Sequence, residues 1–273
     1  MEIVNSKILV TGATDGIGRQ TALDLAAMGA HVLIHGRNLR KLRSTAEEIK
    51  KLKAGARVEI YLGDFASLSQ VKRLGKEIKR DHDRLDMLIN NAGILLNRLQ
   101  KSEDGYEMTF AVNHLAPFAL TFFLLDALKK GAPSRIVNVS SMMHSHFIDF
   151  DNLQGEKGFD GYEAYGLSKL CNILFTYELA ERLKGTGVTV NCLHPGVINT
   201  KLSRGGLGGG GGGAGSHRSR TCLFVATDEG LAGVTGRYFM NMREARSADI
   251  TYDPEIRKKL WRISESLTGI HYD

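Results

Sequence analysis

The chain has 273 residues, the length of one large domain or two small ones, with 42% hydrophobic and 24% charged residues, as in globular proteins. A chain of this size buries enough apolar surface to fold without disulfides or a structural metal, and its three cysteines lack the CxxC spacing of a zinc site. The net charge of +6 is scattered over helix-like segments and forms no single stripe, which argues against a nucleic-acid partner.

Short runs rich in β-branched residues alternate with longer amphipathic segments along the chain. The runs are KILVT from Lys7, HVLIHG from His31, RVEIYLGD from Arg57, LDMLIN from Leu85, RIVNVSS from Arg135, VTVNCLHPG from Val188 and GRYFM from Gly236. Most are continuously apolar, which is typical of strands covered on both faces. The alternation predicts an α/β fold: a doubly wound (Rossmann) parallel sheet of about seven strands with helices on both faces.

No linker divides the chain, so we expect a single domain over residues 1–273. Its cofactor half would cover about residues 1–135, and its catalytic and substrate half about 136–273. The N-terminal segment has no signal-peptide pattern, and no stretch reaches about 20 apolar residues, so we expect a cytoplasmic protein without a membrane span.

A glycine run interrupts the second half, where residues 204–216 read RGGLGGGGGGAGS. Glycine loses the most conformational entropy on ordering, so this segment is predicted to be a flexible loop. A lid over a substrate and a surface loop without a role are both consistent with the pattern.

The first predicted strand ends in a glycine-rich turn. Gly12, Gly16 and Gly18 let the backbone turn tightly and approach a bulky anion, and the amides of the following helix would face a pyrophosphate. Because the turn stands between a strand and a helix near the N-terminus, it predicts a dinucleotide site.

The end of the second strand bears on which dinucleotide is bound. Sites that prefer NAD place Asp or Glu there to bind the ribose 2′-hydroxyl, whereas this chain has Gly36 followed by Arg37. A guanidinium pairs with a 2′-phosphate and no carboxylate repels it, so we predict NADP(H), with NAD(H) as the weaker candidate. Arg19, just after the glycines, is a second candidate partner for the phosphate.

Together with the TGxxxGxG spacing at residues 11–18, further motifs resemble those of the short-chain dehydrogenase/reductase family. They are NNAG at residues 90–93, the asparagine of NHL at 113–115, VNVSS at 137–141, YGLSK at 165–169, and HPG at 194–196 followed by Thr200. The resemblance runs from about Lys7 to about Leu267. The insert between His144 and Gly161 resembles that of the retinol dehydrogenase-like branch of the family.

This resemblance implies a catalytic set of Asn113, Ser141, Tyr165 and Lys169. Tyr165 and Lys169 are four positions apart on a predicted helix and share a face, so the ammonium is expected to lower the phenol pKa. Tyr165 would exchange a proton with the reacting oxygen, Ser141 would hydrogen-bond that oxygen, and Lys169 would also bind the nicotinamide ribose. Asn113 would hold a water in a proton relay to Lys169.

The predicted cofactor-binding residues lie on the turns that follow the strands, together with the catalytic tyrosine and lysine. They are Gly12, Thr14, Asp15, Gly16, Ile17, Gly18, Arg37, Asp64, Asn91, Ala92, Gly93, Tyr165, Lys169, Pro195 and Thr200. No metal site is predicted, because the HxH pair of His144 and His146 has no evident third ligand.

Three other choices stay open at this level. Ser140 competes with Ser141, although strand alternation turns only one of them toward the site. Tyr162 is a second phenol, without a lysine four residues on.

The predicted activity is NADP(H)-dependent interconversion of an apolar carbonyl, such as a retinoid, steroid or lipid aldehyde, and its alcohol. The alternatives are an NAD-dependent alcohol dehydrogenase, a dinucleotide sensor without turnover, and a sugar-nucleotide epimerase, for which too little chain follows Thr200.

The resemblance also bears on assembly. Helices around residues 114–130 and 163–185 pair between subunits in many relatives, which implies a homodimer or homotetramer.

Overall fold

The computed structural model of the protein describes residues 2–196 and 219–272. These residues form one sheet whose strands are β1 (Lys7–Val10), β2 (His31–Gly36), β3 (Val58–Leu62), β4 (Met87–Asn90), β5 (Ser134–Val139), β6 (Val188–His194), β7 (Tyr238–Met240) and β8 (Arg243–Ala245). The order is β3-β2-β1-β4-β5-β6-β7-β8, with β1 to β7 parallel and β8 antiparallel to β7. The doubly wound parallel sheet is confirmed.

Helices cover both faces of this sheet. They are α1 (Gly16–Ala27), α2 (Leu39–Leu52), α3 (Leu68–Asp81), α4 (Met108–Phe110), α5 (Ala116–Lys130), α6 (Gly161–Arg182), α7 (Arg220–Thr227) and α8 (Pro254–Thr268), with short 3-10 turns at Glu229–Leu231 and Asp249–Tyr252. Successive strand residues point to opposite faces, so Leu9 joins the core under α3, α5 and α6, whereas Ile8 and Val10 join the core under α1, α2 and α7. The fold is a single α/β domain.

The eighth strand is absent from the sequence prediction. It pairs with β7 through a two-residue turn in which Asn241 and Met242 both have positive φ, 52° and 59°. Such a hairpin turn normally carries Asn-Gly, and methionine rarely adopts left-handed backbone. The sequence signal for β8 was therefore weak.

Helices α4 and α5 are joined by a π-turn, Ala111–Leu115, and form one continuous helical stretch. The amide of Ala116 donates to the carbonyl of Ala111, five residues back, so the turn holds one more residue than an α-helix would. The stretch Met108–Lys130 is long and apolar enough to cross a membrane. In the apolar 18-residue part of this stretch, 83% is buried inside the fold. Its apolar character is accounted for by the core, while the absence of a membrane span stays a prediction.

The C-terminal part of the described chain lies over α5 and α6. Trp261 packs edge-on against Phe118, with ring centres 5.2 Å apart, and the Arg182 guanidinium lies 4.2 Å from its ring. The Tyr272 hydroxyl donates to the Phe118 carbonyl at 2.6 Å. Because α8 covers part of α5 and α6, subunits that paired through these two helices would have to use their uncovered surface. The predicted homodimer or homotetramer stays a prediction.

Candidate active site

A cleft of about 510 Å³ opens at the carboxyl ends of the parallel strands, beside the paired strands β1 and β4, where the strand order reverses. In doubly wound sheets this is the place where ligands bind. Fourteen of the predicted cofactor-binding residues line this one cleft; they are Gly12, Thr14, Asp15, Gly16, Ile17, Gly18, Arg37, Asp64, Asn91, Ala92, Gly93, Tyr165, Lys169 and Pro195. Thr200 and the predicted flexible loop 204–216 lie outside the described residues.

The glycine turn fits against the loop after β4 with no room for side chains. A Cβ on Gly18 would lie 2.2 Å from Nδ2 of Asn91 and 2.5 Å from the carbonyl oxygen of Gly12. A Cβ on Gly12, which has a φ of +68°, would lie 2.8 Å from the Cα of Ala92. The two glycines therefore allow the turn to lie against the loop after β4, and the N-terminus of α1, where Asp15 accepts from the Gly16 amide, lines the cleft.

Thr11 and Asn91 tie the two loops together. The Thr11 hydroxyl accepts from the amides of Asn91 and Ala92 at 3.0 and 3.1 Å, and the Asn91 side chain donates to the Thr11 carbonyl at 2.8 Å. The buried cross-links hold the loop after β4 beside the glycine turn. Asn91 thus shapes the cleft as well as lining it.

The far end of the cleft is lined by basic side chains. A Cβ on Gly36 would lie 2.6 Å from Cγ2 of Thr14, so any side chain at this position would require Thr14 to move. Arg37 is 69% exposed, and its guanidinium lies 3.8 Å from the carboxylate of Asp64. Lys41 lines the same end.

Arg19 does not assist Arg37, because it is ion-paired with Glu48 of α2 and is not among the residues that line the cleft. The structure gives Arg19 another partner, and the reason is tertiary. The helices α1 and α2 pack side by side and bring Glu48 within reach of Arg19.

Several lining residues were missed by the sequence analysis, among them Lys41, His35 and Phe65. His35 stacks on Phe65 with ring centres 4.4 Å apart, and burial lowers its pKa to about 4. These two rings form a neutral, rigid wall. The sequence did hold a signal for Lys41, since it stands one helical turn after Arg37.

Tyr165 and Lys169 lie on α6, which begins after the capping side chain of Asp160. Both are buried, with 7% and 3% of their surface exposed. The Lys169 Nζ donates to the carbonyl of Val139 at 3.0 Å and lies 5.5 Å from the centre of the Tyr165 ring. One helix turn therefore brings the phenol and the ammonium to the same wall of the cleft.

The expected depression of the Tyr165 pKa by Lys169 is not observed. Burial raises the pKa of Tyr165, and its hydrogen bond with the Ser141 side chain opposes this only in part. Burial also lowers the pKa of Lys169 to about 8. Desolvation is the largest cause for both groups, because burial disfavours the charged form of each.

The two neighbouring serines have different environments. The Ser140 hydroxyl donates to the carbonyl of Lys169 at 2.8 Å and so fixes β5 on α6. The Ser141 hydroxyl accepts from the Met143 amide at 3.0 Å, and the Ser141 side chain opposes the rise that burial causes in the Tyr165 pKa. The geometry brings Ser141, rather than Ser140, together with the tyrosine hydroxyl.

Asn113 lies inside the π-turn and is fully buried. Its side chain accepts from the Ile94 amide at 2.8 Å and donates to the Ile94 carbonyl and to the Ser168 hydroxyl, both at 2.9 Å. It therefore ties the loop after β4 to α6. A Cβ on Gly93 would lie 3.3 Å from both Asn113 Oδ1 and Lys169 Nζ, so these atoms border one small gap. The water relay stays a prediction.

Other candidates from the sequence have ordinary roles. Both ring nitrogens of His144 are bound within the protein, to Ser141 and to Ala248, so neither is open to a metal. Among the residues that the structure describes, no group of three or more His, Cys, Asp or Glu side chains has metal-binding geometry. Three thiols, those of Cys171, Cys192 and Cys222, are buried and unpaired.

Comparison with protein families matches residues 6–205 to the short chain dehydrogenase model. The chain belongs to the short-chain dehydrogenase family. It is an oxidoreductase that interconverts alcohol and carbonyl groups.

This short-chain dehydrogenase is similar to proteins of the retinol dehydrogenase-like branch, as its motifs indicate. It is 39% identical to retinol dehydrogenase 13 of Homo sapiens, over 98% of this chain and 86% of that protein. Among solved structures, an uncharacterized protein from Mycobacterium paratuberculosis matches with a TM-score of 0.84 and 29% identity, over 100% of this chain and 96% of that one. A short chain dehydrogenase from Shigella flexneri complexed with NADP matches with a TM-score of 0.71 and 26% identity, over 87% and 98% of the two chains.

Proposed function

We propose that this enzyme is an NADP(H)-dependent oxidoreductase that interconverts an apolar aldehyde or ketone and its alcohol. The observation that carries the cofactor choice is the far end of the cleft, where position 36 is a glycine without a carboxylate and Arg37 and Lys41 supply positive charge. A 2′-phosphate is recognised by such basic groups, and a 2′-hydroxyl by an acidic side chain at the Gly36 position. The similar dehydrogenase from Shigella flexneri was solved with NADP.

The residues of the cleft fit a dinucleotide. Gly12 and Gly18 let the turn pack closely on the loop after β4, and the helix N-terminus beside them, which lines the cleft, favours a pyrophosphate. Arg37 and Lys41 would hold the 2′-phosphate, and Lys169 the nicotinamide ribose. The bound cofactor supplies or accepts the hydride.

The remaining chemistry belongs to the protein. In reduction Tyr165, held in its protonated form by burial, donates its phenol proton to the substrate oxygen as the negative charge develops there. Ser141 donates a hydrogen bond to the same oxygen. The Lys169 ammonium stabilises the phenolate that is left behind, because a buried anion gains most from a nearby positive charge. In oxidation the same groups act in reverse.

The loop that carries Ser141 supports an apolar substrate. Met142, Met143 and Phe147 follow the serine and are 53%, 38% and 68% exposed. Large exposed apolar side chains beside a catalytic group are typical of a surface that receives an apolar ligand. Retinol, in the name of the human relative, is an apolar alcohol.

Initial rates with NADPH and NADH, each tested on a retinoid aldehyde, a long-chain aliphatic aldehyde and a short polar aldehyde, test the proposal. We expect the highest kcat/KM with NADPH and an apolar aldehyde. Equal rates with both cofactors would favour the NAD-dependent alternative, and preference for the polar aldehyde would contradict the substrate class. A cytoplasmic location remains part of the proposal, to be checked by cell fractionation.

A further inference from the structure

His144 lies close to the proposed catalytic serine and uses both ring nitrogens inside the protein. Its Nδ1 lies 2.7 Å from the carbonyl oxygen of Ser141. Its Nε2 lies 3.1 Å from the backbone nitrogen of Ala248, more than a hundred residues away in the chain. Only 7% of the residue is exposed, so water competes little for these two bonds.

The partners determine which ring nitrogen carries the proton. The backbone N–H of Ala248 is a donor, so Nε2 accepts; the carbonyl of Ser141 is an acceptor, so Nδ1 donates. The neutral tautomer with hydrogen on Nδ1 is the one form that makes both bonds. A doubly protonated ring would direct an N–H toward the N–H of Ala248, and the two bonds could not coexist.

Ser141 belongs to a short loop in which its carbonyl accepts from the His144 amide at 3.2 Å as well as from the His144 ring. Its hydroxyl accepts from the Met143 amide at 3.0 Å, while the Ser145 amide donates to the carbonyl of Gly166 at 2.9 Å. The loop is thereby attached to α6 directly after the catalytic tyrosine. His144 adds the connection between the serine backbone and the C-terminal segment.

The C-terminal end of this connection is firmly held. The Ser247 hydroxyl lies 2.9 Å from the hydroxyl of Tyr177 on α6 and 2.7 Å from that of Thr251. Ala248 itself is buried with Leu170 and Leu174 of α6. The acceptor nitrogen of His144 therefore faces a fixed donor.

The surroundings of the ring do not favour a proton on it. The titratable groups that face it are His146 on its own loop, stacked with ring centres 5.7 Å apart, Tyr238 of β7 at 5.5 Å, and His194 at the end of β6. No carboxylate in the described part of the chain contacts the His144 ring. Burial lowers the pKa of His144 and the His146 charge lowers it further, while the bond to Ser141 acts in the opposite direction.

We propose that His144 is a positioning residue for Ser141. Its Nδ1–H holds the serine carbonyl, and the Ala248 amide keeps that hydrogen on Nδ1. Protonation of the ring in acid breaks this arrangement, displaces Ser141 and lowers turnover. The inference rests on the proposed function, because Ser141 controls turnover only if it binds the reacting oxygen.

The test uses two substitutions that do not titrate and that each keep one bond. In His144→Asn the amide nitrogen can take the place of Nδ1 and donate to Ser141, whereas in His144→Gln the amide oxygen can take the place of Nε2 and accept from Ala248. His146→Gln, at the exposed stacked neighbour, is the control. Rates of NADPH-dependent reduction are measured from pH 5 to 8 against enzyme-free blanks.

At neutral pH we expect kcat of His144→Gln to lie at least about tenfold below that of His144→Asn, with equal affinity for NADPH. The unsubstituted enzyme and His146→Gln should lose kcat in acid, and both His144 variants should lack this loss. Tyr165 and Lys169 cannot produce it, because both are protonated in acid, as reduction requires. The proposal would be overturned if either His144 variant lost kcat in acid as the unsubstituted enzyme does, or if His144→Gln were fully active.

Hydrogen exchange of the Ala248 amide separates this inference from the proposed function, because it needs no substrate. In the unsubstituted protein we expect protection at pH 7 that falls toward pH 5, after correction for intrinsic exchange. In His144→Asn the amide should be unprotected at both pH values. Protection that is insensitive to pH in the unsubstituted protein would refute the role of the ring, whatever the enzyme reduces.

Discussion

The Nζ atom of Lys169 lies 5.5 Å from the centre of the Tyr165 ring and donates to the carbonyl of Val139. The two groups are therefore neighbours without a direct hydrogen bond between the ammonium and the phenol oxygen. Burial raises the pKa of the phenol, and Ser141 is the side chain that opposes this rise. This arrangement assigns proton transfer to Tyr165 and charge stabilisation to Lys169.

Replacing Tyr165 by phenylalanine removes the hydroxyl and keeps almost all of the buried ring. We expect the fold and NADPH binding to persist while kcat falls by at least about 10²-fold, the usual scale for loss of a general acid. Steady-state kinetics, circular dichroism and a fluorescence titration with NADPH measure the three properties. Tyr162→Phe is the matched control on the same helix and should be close to fully active. If the Tyr162 variant is the inactive one, the assignment is wrong.

Replacing Lys169 by methionine should stabilise the cofactor-free protein while abolishing most of its activity. Burial lowers the pKa of this lysine from 10.5 to about 8, so the folded state holds the proton less tightly than the unfolded state. The charged form is thus destabilised by at most about 3 kcal/mol. The lost bond to Val139, about 1 kcal/mol, reduces the gain to roughly 2 kcal/mol.

The pH dependence of that gain follows from the same shift. Below about pH 8 the lysine is charged in both states, and the methionine variant keeps its full advantage. Between about 8 and 10.5 the unfolded state binds more protons, so the unsubstituted protein gains stability as pH rises and the difference disappears. Urea unfolding at pH 7 and pH 10 measures it; an equal difference at both values contradicts the prediction.

Replacing Arg37 by alanine should weaken NADPH binding and leave NADH binding nearly unchanged. The side chain is mostly exposed and lies 3.8 Å from Asp64, so screening limits the loss to about 1 kcal/mol, roughly fivefold in Kd. Fluorescence titrations with both cofactors give the two affinities. Arg40→Ala, in the exposed first turn of α2 just after Arg37, is the control and should alter neither. A parallel loss for NADPH and NADH would mean that Arg37 does not contact the 2′-phosphate.

Replacing Gly18 by alanine should damage the cofactor site. The added Cβ would lie 2.2 Å from the Asn91 side chain and 2.5 Å from the Gly12 carbonyl, so the turn must shift. Overpacking of this kind costs about 1–3 kcal/mol, and we expect at least a tenfold weaker affinity for NADPH, about 1.4 kcal/mol. Gly55→Ala is the control: its φ of +76° makes alanine strained but its surroundings are open. It should lower the melting temperature and leave NADPH affinity intact.

The sequence predicts those parts of the site that depend on local geometry. The glycine turn is encoded by a strand, three glycines and a helix within a dozen residues, and the structure places its residues in the cleft. The pairing of Tyr165 with Lys169 follows from helical spacing alone. Seven of the eight strands were visible as apolar runs.

The remaining features depend on tertiary packing. Nothing near Tyr165 in the sequence states how deeply it is buried, so the direction of its pKa shift could not be read. The ion pair of Arg19 with Glu48 requires two helices to lie side by side. The bonds of Asn113 to Ile94 and Ser168 join three separate elements. Each is set by contacts between segments that the sequence keeps apart.

The π-turn at Ala111–Leu115 determines what the deletion of a single residue would do to the site. The turn holds one residue more than a regular helix, and Asn113 lies within it. Removing one residue there would restore an unbroken α-helix and would rotate everything on one side of the cut by about 100°. Because Phe118 and Tyr272 lock the far side into the core, the rotation would fall on Asn113 and its bonds to Ile94 and Ser168. A homologue that lost this single residue would keep the overall fold. It would lose the buried hydrogen bonds by which Asn113 connects the loop after β4 to α6.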